Sequence, residues 1–309
     1  MRNLHAAFPP PQPVGGAGAV RPSATEGSAA NVAFDRFRRQ LAALTGIEVA
    51  ADRQYLVEAR LAPIMRARDI GDFPELLRRF ERRESEALVR EIIEAMTTSE
   101  TSFFRDRAPF DVFRDQTLPE LMATRATARR LRIWCAACSS GQEAYSLAMT
   151  LDQSANALRG WSVELLATDI SQTAIDAARA GAYSQFEVQR GLSTTQLLRY
   201  FQRQGDGWRV NEHIRARIVF QEFNLLSNLD GLGKFDAIFC RNVLLYFDPE
   251  TRRDVLARLS RALADDGCLF LGASELAGER HPAFAAPGSD GVLRLRGRPR
   301  PQLRLAHAV

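Results

Sequence analysis

The second half of this chain alternates between short apolar segments and amphipathic segments, and this alternation limits the folds open to it. Strands that each lead into a helix are typical of a parallel, doubly wound sheet with helices on both faces. The strand-like segments after Arg130 are LRIWCAA (131–137), VELLATDI (163–170), the start of FDAIFCRNVLLY (235–246) and CLFLGAS (268–274). The expected helices run over 143–151, 173–179 and 249–263. We therefore predict an α/β domain over residues 119–297.

A helical region precedes this α/β segment. Phe34, Phe37 and Leu41 recur at helical spacing, and Gly46 is expected to end that helix. Further helices are expected over 56–65, from Phe73 and from Ser85. A small helical bundle over residues 31–118 is the simplest arrangement.

Two terminal stretches and one insert depart from these patterns. Residues 1–30, rich in Pro, Gly, Ala and Ser, and residues 298–309 are predicted to be disordered tails. Gly205-Asp206-Gly207 lies between polar and β-prone residues, which predicts a hairpin. A small antiparallel β-subdomain is therefore expected at about 183–220.

Composition excludes several classes of protein. No apolar run approaches the ~18 residues that a membrane-spanning helix needs, and Leu4–Phe8 is too short for a signal peptide. The four cysteines suit a reducing compartment, so the expected location is the cytoplasm, without membrane insertion. A net charge of +4 is modest for a nucleic-acid binder.

Cys135-x-x-Cys138 raises the choice between a metal or redox site and a ligand-binding turn. A structural zinc site usually has four ligands in two pairs, whereas Cys240 and Cys268 are isolated. A redox pair at a helix start is also disfavoured, because Cys135 still lies inside the strand. We therefore predict no metal and interpret both cysteines as small apolar fillers.

The glycine turn behind Cys138 indicates the ligand. Gly141 alone does not make the three-glycine dinucleotide fingerprint, and Glu143 would repel a pyrophosphate but attract an ammonium group. Asp169 ends the second strand, where an acid accepts hydrogen bonds from ribose hydroxyls. Together they favour S-adenosylmethionine, with S-adenosylhomocysteine as product. Asn224 either meets the adenine edge or bonds its own turn.

Six sequence blocks stand out along the chain, in this order: TTSETSFFRD (97–106), ACSSGQEAYS (137–146), ATDIS (167–171), FNLL (223–226), FDAIFCRNVLLYF (235–247) and DDGCLFLGASE (265–275). Together they resemble the chemotaxis-receptor methyltransferases, the CheR family. The resemblance covers roughly residues 34–295 and implies a helical domain followed by a Rossmann-like methyltransferase domain with a small β-subdomain. It also implies methyl transfer from S-adenosylmethionine to glutamate side chains of chemoreceptors, giving γ-methyl esters for sensory adaptation.

Matching motif positions assigns site residues. Arg105 and Tyr246 are implied as catalytic, with Tyr246 facing the reactive methyl group. Ser99 stands where the family usually has Asn, and Gln142 where an acid is common. In the family, a longer version of the hairpin goes with docking to a tethering peptide at the receptor C-terminus, so the resemblance implies no tethering for this compact hairpin. The implied cofactor contacts are Ser99, Thr101, Arg105, Glu143, Asp169, Asn224, Leu225, Arg241 and Asn242.

The chemistry explains why no Ser-His-Asp or Cys-His set is visible. A glutamate carboxylate is ionised near neutral pH, so no general base is required. Arg105 suits a forked contact to a carboxylate, and Tyr246 offers a hydroxyl and an aromatic face. The alternatives are a surface ion pair of Arg105 with Asp106 or Asp111, and core packing of Tyr246 beside Phe247.

Arginines in the helical region suggest a substrate surface. Arg53, Arg60, Arg66 and Arg68 lie on or just after one predicted helix and would attract the acidic methylation helices of a receptor. The alternative is a solvated helix face. Nucleic acid is disfavoured as a partner, since no aromatic residues alternate with these arginines.

Three functions stay open at this point. Protein-glutamate O-methyltransferase activity is the leading hypothesis. The others are a small-molecule methyltransferase and a non-catalytic receptor-binding adaptor of the same fold, and the retained site residues argue against the adaptor.

Overall fold

The computed structural model describes residues 24–277 and 281–297, with side chains from residue 31 onward. The helices are α1 (Ala24–Thr45), α2 (Gln54–Ala67), α3 (Phe73–Glu81), α4 (Glu86–Met96), α5 (Ala108–Val112), α6 (Leu118–Thr124), α7 (Gln142–Gln153), α8 (Gln172–Ala180), α9 (Gln185–Gln189), α10 (Thr194–Tyr200), α11 (Glu212–Arg215), α12 (Pro249–Ala262) and α13 (Ala273–Leu276). The strands are β1 (Arg130–Ala136), β2 (Ser162–Asp169), β3 (Ala182–Tyr183), β4 (Phe201–Gln204), β5 (Gly207–Val210), β6 (Ile218–Glu222), β7 (Phe235–Cys240), β8 (Leu263–Phe270) and β9 (Leu293–Arg294).

Helices α1 to α4 form the predicted helical bundle. Its core contains Phe37, whose ring centroid lies 5.4 Å from that of Phe73 and 5.6 Å from that of Phe80. Asp72 and Ser85 cap α3 and α4 by accepting backbone N–H bonds, and α4 begins directly after Ser85, where a helix was expected to start. The local pattern of apolar residues and caps therefore accounts for this domain.

Both predicted boundaries of the bundle differ from the structure. Helix α1 begins at Ala24, before the expected start at residue 31, while residues 1–23 of the predicted tail and the tail 298–309 lie outside the described residues. At the other end, the bundle core stops at Met96 rather than near residue 118. Phe110 and Phe113 pack instead on Phe239 of the sheet, because α5 and α6 present their apolar faces to it.

A six-stranded sheet forms the centre of the second domain, in the order β6-β2-β1-β7-β8-β9. The first five strands are parallel, and β9 runs antiparallel to β8. Ile133 and Cys135 of β1 face a core shared with α7, whereas Trp134 and Ala136 face a core shared with α12. The predicted doubly wound arrangement, with helices on both faces, is confirmed.

The small antiparallel sheet, ordered β3-β5-β4, confirms the predicted β-subdomain, and Gly205 lies in its hairpin. The insert was expected to extend to about residue 220, whereas residues 218–222 form β6, a parallel edge strand of the main sheet beside β2. Phe220 packs against Tyr145 of α7, which explains why this segment joins the larger core.

The helical bundle lies against the edge of the main sheet where β1, β2 and β7 end. The backbone N–H of Glu48 donates to the carbonyl of Tyr246 at 2.8 Å. The Asn224 amide donates to the carbonyl of Leu44 at 2.7 Å. The carboxyl ends of parallel strands are where open α/β sheets bind ligands, so this junction is the place to look for a site.

Candidate active site

A cleft of about 970 Å³, part of it open to solvent, lies between the bundle and the carboxyl ends of the strands. Thr45 and Met96 line it from the bundle side. Most residues that the sequence assigned to the site come together here, although they are spread over more than a hundred positions. The assigned residues that line the cleft are Thr101, Arg105, Glu143, Asp169, Asn224, Leu225, Arg241, Asn242 and Tyr246.

The turn between β1 and α7 forms one wall. Ala137, Ser139 and Gly141 all have positive φ, so the chain reverses sharply. A Cβ on Gly141 would lie 2.8 Å from the Cβ of Ala178, and φ is +96°. Glycine is therefore required at 141, both for the backbone conformation and for the close approach of α8.

Glu143 lies in the first turn of α7 and is 8% exposed. Its Oε2 accepts a hydrogen bond from Nη1 of Arg241 at 2.6 Å. Burial raises the pKa of Glu143 above its ordinary value, and the charge of Arg241 opposes that rise. A carboxylate here is placed to attract an ammonium group, and one arginine balances its charge.

Arg241 connects this carboxylate to the FFR block, residues 103–105. Its guanidinium is completely buried and also binds the carboxylate of Asp106 at 2.8 Å and the carbonyl of Arg105 at 3.0 Å. The side chain predicted as a cofactor contact therefore also holds two walls of the cleft together.

Asp169, at the end of β2, is held by main-chain donors. Oδ2 accepts from the N–H of Ser139 at 2.7 Å, and Oδ1 accepts from the N–H of Ser171 at 3.0 Å. Burial raises the pKa of Asp169, whereas these backbone donors oppose the rise. The carboxylate is thereby fixed in direction and lines the cleft, as a ribose-binding acid requires.

Asn224 lines the cleft, but its amide is engaged. Oδ1 accepts from the N–H of Leu226 at 2.9 Å, and Nδ2 donates to Leu44. This geometry matches the alternative in which the residue bonds its own turn, and it adds a link to the bundle. Leu225 stands beside it as an apolar part of the wall.

The FFR block reaches the cleft through a strained loop. Phe104, Asp106 and Arg107 all have positive φ on either side of Arg105. A Cβ on Gly191, in the β-subdomain, would lie 1.7 Å from the carbonyl oxygen of Phe103, so the subdomain backbone supports this loop directly. Such over-determined backbone strain is common where a side chain must be aimed.

Arg105 is partly exposed and donates to the carbonyl of Glu100 at 3.3 Å. The ion pairs considered from the sequence are made elsewhere, because Asp106 binds Arg241 and Asp111 binds Arg114 at 3.0 Å. The guanidinium of Arg105 thus lines the cleft without those two carboxylates.

Tyr246 is half-buried in the same cleft. Burial raises the pKa of its phenol, and the positive charge of Arg105 opposes the rise, which places the two groups within electrostatic reach. Phe247, rather than Tyr246, is the fully packed residue of the pair at 5% exposure. The core-packing alternative therefore describes Phe247 better.

One residue with a clear role was missed by the sequence analysis. The carboxylate of Glu275 accepts backbone N–H bonds from Asn242, Val243, Leu244 and Gly272, at 2.6 to 2.9 Å. It holds the segment that carries Asn242 and Tyr246, and Asn242 itself has a positive φ. An acid three residues after the glycine that precedes a short helix was the available signal.

Ser99 and the arginines of α2 lie outside the cleft lining. Ser99 is exposed at the rim, where its carbonyl accepts from the Ser139 hydroxyl at 2.9 Å. Among the arginines, Arg68 pairs with Glu91 at 2.7 Å, Arg60 lies near Tyr246, and Arg66 is exposed. Roles of Ser99, Arg53, Arg60, Arg66 and Arg68 in binding stay predictions.

The four cysteines are free and buried. Burial raises the pKa of Cys135 and Cys138 well above the usual thiol value. Within residues 24–277 and 281–297, no group of three or more His, Cys, Asp or Glu side chains is arranged to hold a metal ion. No helix in the described part of the chain is both long and apolar enough to cross a bilayer.

Comparison with known proteins gives a consistent result. The chain matches the CheR methyltransferase all-alpha domain over residues 33–97 and the CheR methyltransferase SAM-binding domain over residues 99–289. The boundary between these two matches agrees with the bundle core ending at Met96.

Curated relatives span most of the chain. Chemotaxis protein methyltransferase 1 of Pseudomonas aeruginosa is 45% identical over 252 residues, which cover 80% of this chain and 91% of the relative. Chemotaxis protein methyltransferase Cher2 of Pseudomonas putida is 41% identical, with the same coverage of 80% and 91%. A chemotaxis protein methyltransferase of Vibrio parahaemolyticus is 40% identical, covering 77% and 87%. The chain therefore belongs to the CheR methyltransferase family.

Proposed function

We propose that this protein transfers a methyl group from S-adenosylmethionine to glutamate side chains of chemoreceptors, forming γ-methyl esters. Support for the methyl donor comes from the match to the SAM-binding domain and from the cleft. Support for the acceptor comes from the names of the relatives, which are chemotaxis protein methyltransferases.

The residues of the cleft fit this donor. Glu143 presents a buried carboxylate for the methionine ammonium, and Asp169 presents a second carboxylate for the ribose hydroxyls. The turn at Gly141 leaves backbone, not side chain, against the space between them. A pyrophosphate would be repelled by both acids, so a cationic nucleoside is the better ligand.

When bound, S-adenosylmethionine supplies an electrophilic methyl group on a sulfonium, open to attack by a carboxylate oxygen aligned with the carbon–sulfur bond. The chain's task is therefore alignment, which accounts for up to about 7–11 kcal/mol of a barrier. Arg105 would bind and orient the incoming glutamate carboxylate through its guanidinium. Tyr246 would cover the reacting atoms and exclude water, with its ring facing a positive charge.

The acceptor would be an acidic methylation helix in the cytoplasmic part of a receptor. Arg53, Arg60, Arg66 and Arg68 of the bundle would attract it. Nη1 of Arg60 donates to the carbonyl of Met96 at 3.4 Å, and Met96 lines the cleft, so this surface adjoins the cleft. In the family, a longer version of the hairpin goes with docking to a tethering peptide at the receptor C-terminus. The short hairpin at Gly205 therefore supports binding without such a peptide.

One observation carries the proposal: Arg105 and Tyr246 line the same cleft as the two buried acids. The test is to incubate the protein with labelled S-adenosylmethionine and receptor cytoplasmic fragments and to measure base-labile methanol. Label in methanol is expected. Its absence, with the product S-adenosylhomocysteine still binding, would favour the small-molecule alternative.

The role of Arg105 has its own test. Arg105→Ala is expected to lower the rate of methyl transfer by about a hundredfold or more, because a hydrogen-bond donor that orients a charged reacting group is lost. The folded structure should persist. Arg114→Ala is the matched control, because Arg114 pairs with Asp111 and Asp115 away from the cleft. Turnover by Arg105→Ala at the rate of the control would refute the role.

A further inference from the structure

Glu94 makes an unusual connection between the two domains. It lies in α4 of the bundle, yet its carboxylate accepts hydrogen bonds from the Ser171 hydroxyl and from the backbone N–H of Thr173, the latter at 3.1 Å. Both partners belong to the start of α8 in the methyltransferase domain. A side chain of one domain thus satisfies orphan N-terminal donors of a helix in the other.

Two properties of helix ends favour this contact. A carboxylate at a helix N-terminus is favoured by the helix dipole, and its hydrogen bonds are charge-assisted. The Ser171 hydroxyl is at the same time the N-cap of α8, accepting from the N–H of Ala174 at 2.9 Å. Glu94 therefore fixes the rotamer of a residue that already organises the helix start.

The contact also reaches the ribose-binding acid. The backbone N–H of Ser171 donates to Asp169 at 3.0 Å, so only one residue separates Glu94 from that carboxylate. On either side of the contact, Met96 and Ile170 line the cleft. The link closes the wall where the bundle meets the end of β2.

We propose that Glu94 is a positioning residue. Its hydrogen bonds to Ser171 and Thr173, called the latch below, hold the bundle against the Asp169–Ser171 turn and so set the affinity for the nucleoside end of the methyl donor. This inference rests on the proposed function of the cleft. Arg105 and Tyr246 lie on other segments of the cleft, held by Arg241 and Glu275. Loss of the latch is therefore expected to weaken donor binding far more than it slows the transfer itself.

The test compares Glu94→Ala with Glu81→Ala. Glu81 is a suitable control, because its carboxylate accepts two hydrogen bonds as well. Both come from the guanidinium of Arg36, within the bundle. Calorimetry with S-adenosylhomocysteine is expected to give a dissociation constant about tenfold higher for Glu94→Ala, equivalent to about 1.4 kcal/mol, and unchanged for Glu81→Ala. In kinetics, KM for the donor should rise by a similar factor, with kcat within about twofold.

A second readout needs no ligand. Hydrogen exchange of the ligand-free protein should quicken at the amides of Ser171 to Ala174 in Glu94→Ala, since the Thr173 N–H loses its acceptor. Glu94→Gln should give intermediate values in both experiments, because one oxygen remains as an acceptor. Unchanged exchange would overturn the latch, and faster exchange with unchanged affinity would overturn its positioning role.

These outcomes are separable from failure of the proposed function. If the unaltered protein bound neither the donor nor its product, the proposed function would fall, and exchange at Thr173 would still decide whether the latch exists.

Discussion

Glu143 lies in the helix after β1, and Asp169 ends the neighbouring strand β2; both are almost equally buried, at 8% and 7% exposure, yet they are held in different ways. Glu143 depends on one guanidinium, that of Arg241, which comes from a residue 98 positions away. Asp169 accepts hydrogen bonds from the backbone N–H groups of Ser139 and Ser171, which belong to two different turns. One acid is thus sensitive to a single side chain, whereas the other is sensitive to the shape of the loops around it.

The largest expected effect is that of Arg241→Met. It keeps apolar volume but leaves the buried Glu143 with only the Cys135 thiol at 3.5 Å and without its charged partner. The unfolding free energy should therefore fall by about 3–5 kcal/mol, measured by urea denaturation. The double variant Arg241→Met/Glu143→Gln should recover part of the loss, because the unpaired charge is gone. Arg130→Ala, whose pair with Glu164 is 62% exposed on the arginine side, should cost under about 1 kcal/mol. Equal losses for Arg241→Met and Arg130→Ala would break the comparison.

Asp169→Asn comes next, at about 1–3 kcal/mol of stability. One carboxylate oxygen becomes an NH₂ group that faces a backbone N–H, so a single donor loses its acceptor while the other keeps it. The same urea experiment measures the change, and Asp176→Asn on the exposed surface of α8 is the control. A loss of unfolding free energy as large as that of Arg241→Met would show that the two backbone donors do not act independently in stabilising the Asp169 carboxylate.

A smaller effect concerns pH. Burial raises the pKa of both acids, so they take up protons at a higher pH than ordinary carboxyl groups. Affinity for S-adenosylhomocysteine should fall several-fold as pH is lowered from about 7 to about 5. In calorimetry, Glu143→Gln should bind S-adenosylhomocysteine more weakly, and its affinity should change less with pH than that of the unaltered protein. A pH-independent affinity in the unaltered protein would contradict the assignment.

Stability should move in the opposite direction with pH. Since the folded state binds these protons more tightly than the unfolded chain does, the contribution of the two acids to unfolding free energy rises as pH falls through their raised pKa values. The variants Glu143→Gln and Asp169→Asn should each remove part of this slope.

The smallest expected effect is that of salt concentration, which should act differently on buried and on surface charges. Buried pairs are screened little by salt, so the affinity for S-adenosylhomocysteine should change less than about twofold between about 50 and about 200 mM salt. The receptor KM should rise several-fold over the same range, because Arg66 and its neighbours act through solvent. A receptor KM indifferent to ionic strength would argue for the solvated-face alternative.

The comparison also explains what the sequence could and could not predict. Asp169 was identified because a strand pattern ends in an acid, and Gly141 because a strand turns directly into a helix. The pairing of Glu143 with Arg241 needs the adjacency of β1 and β7, which no local pattern contains. Glu94 was invisible for the same reason, since its partners belong to another domain.

Local signals failed in two further places. The insert around the hairpin was expected to extend to about residue 220, whereas packing of Phe220 on Tyr145 places residues 218–222 in the main sheet. The helical domain was extended past Met96 because α5 and α6 are helical in pattern. Which core a helix joins depends on the surface opposite its apolar face, and periodicity does not encode that surface.

The strained loops around the cleft have a consequence for how such a protein adapts to heat. Six of the nine non-glycine residues with positive φ in the described chain lie in these loops: Phe104, Asp106, Arg107, Ala137, Ser139 and Asn242. Glycine at Asn242 would release conformational energy and raise the melting temperature, while loosening the aim of Tyr246. Lineages moving to hotter habitats are thus expected to keep these costly residues and to gain robustness on the outer faces of the bundle.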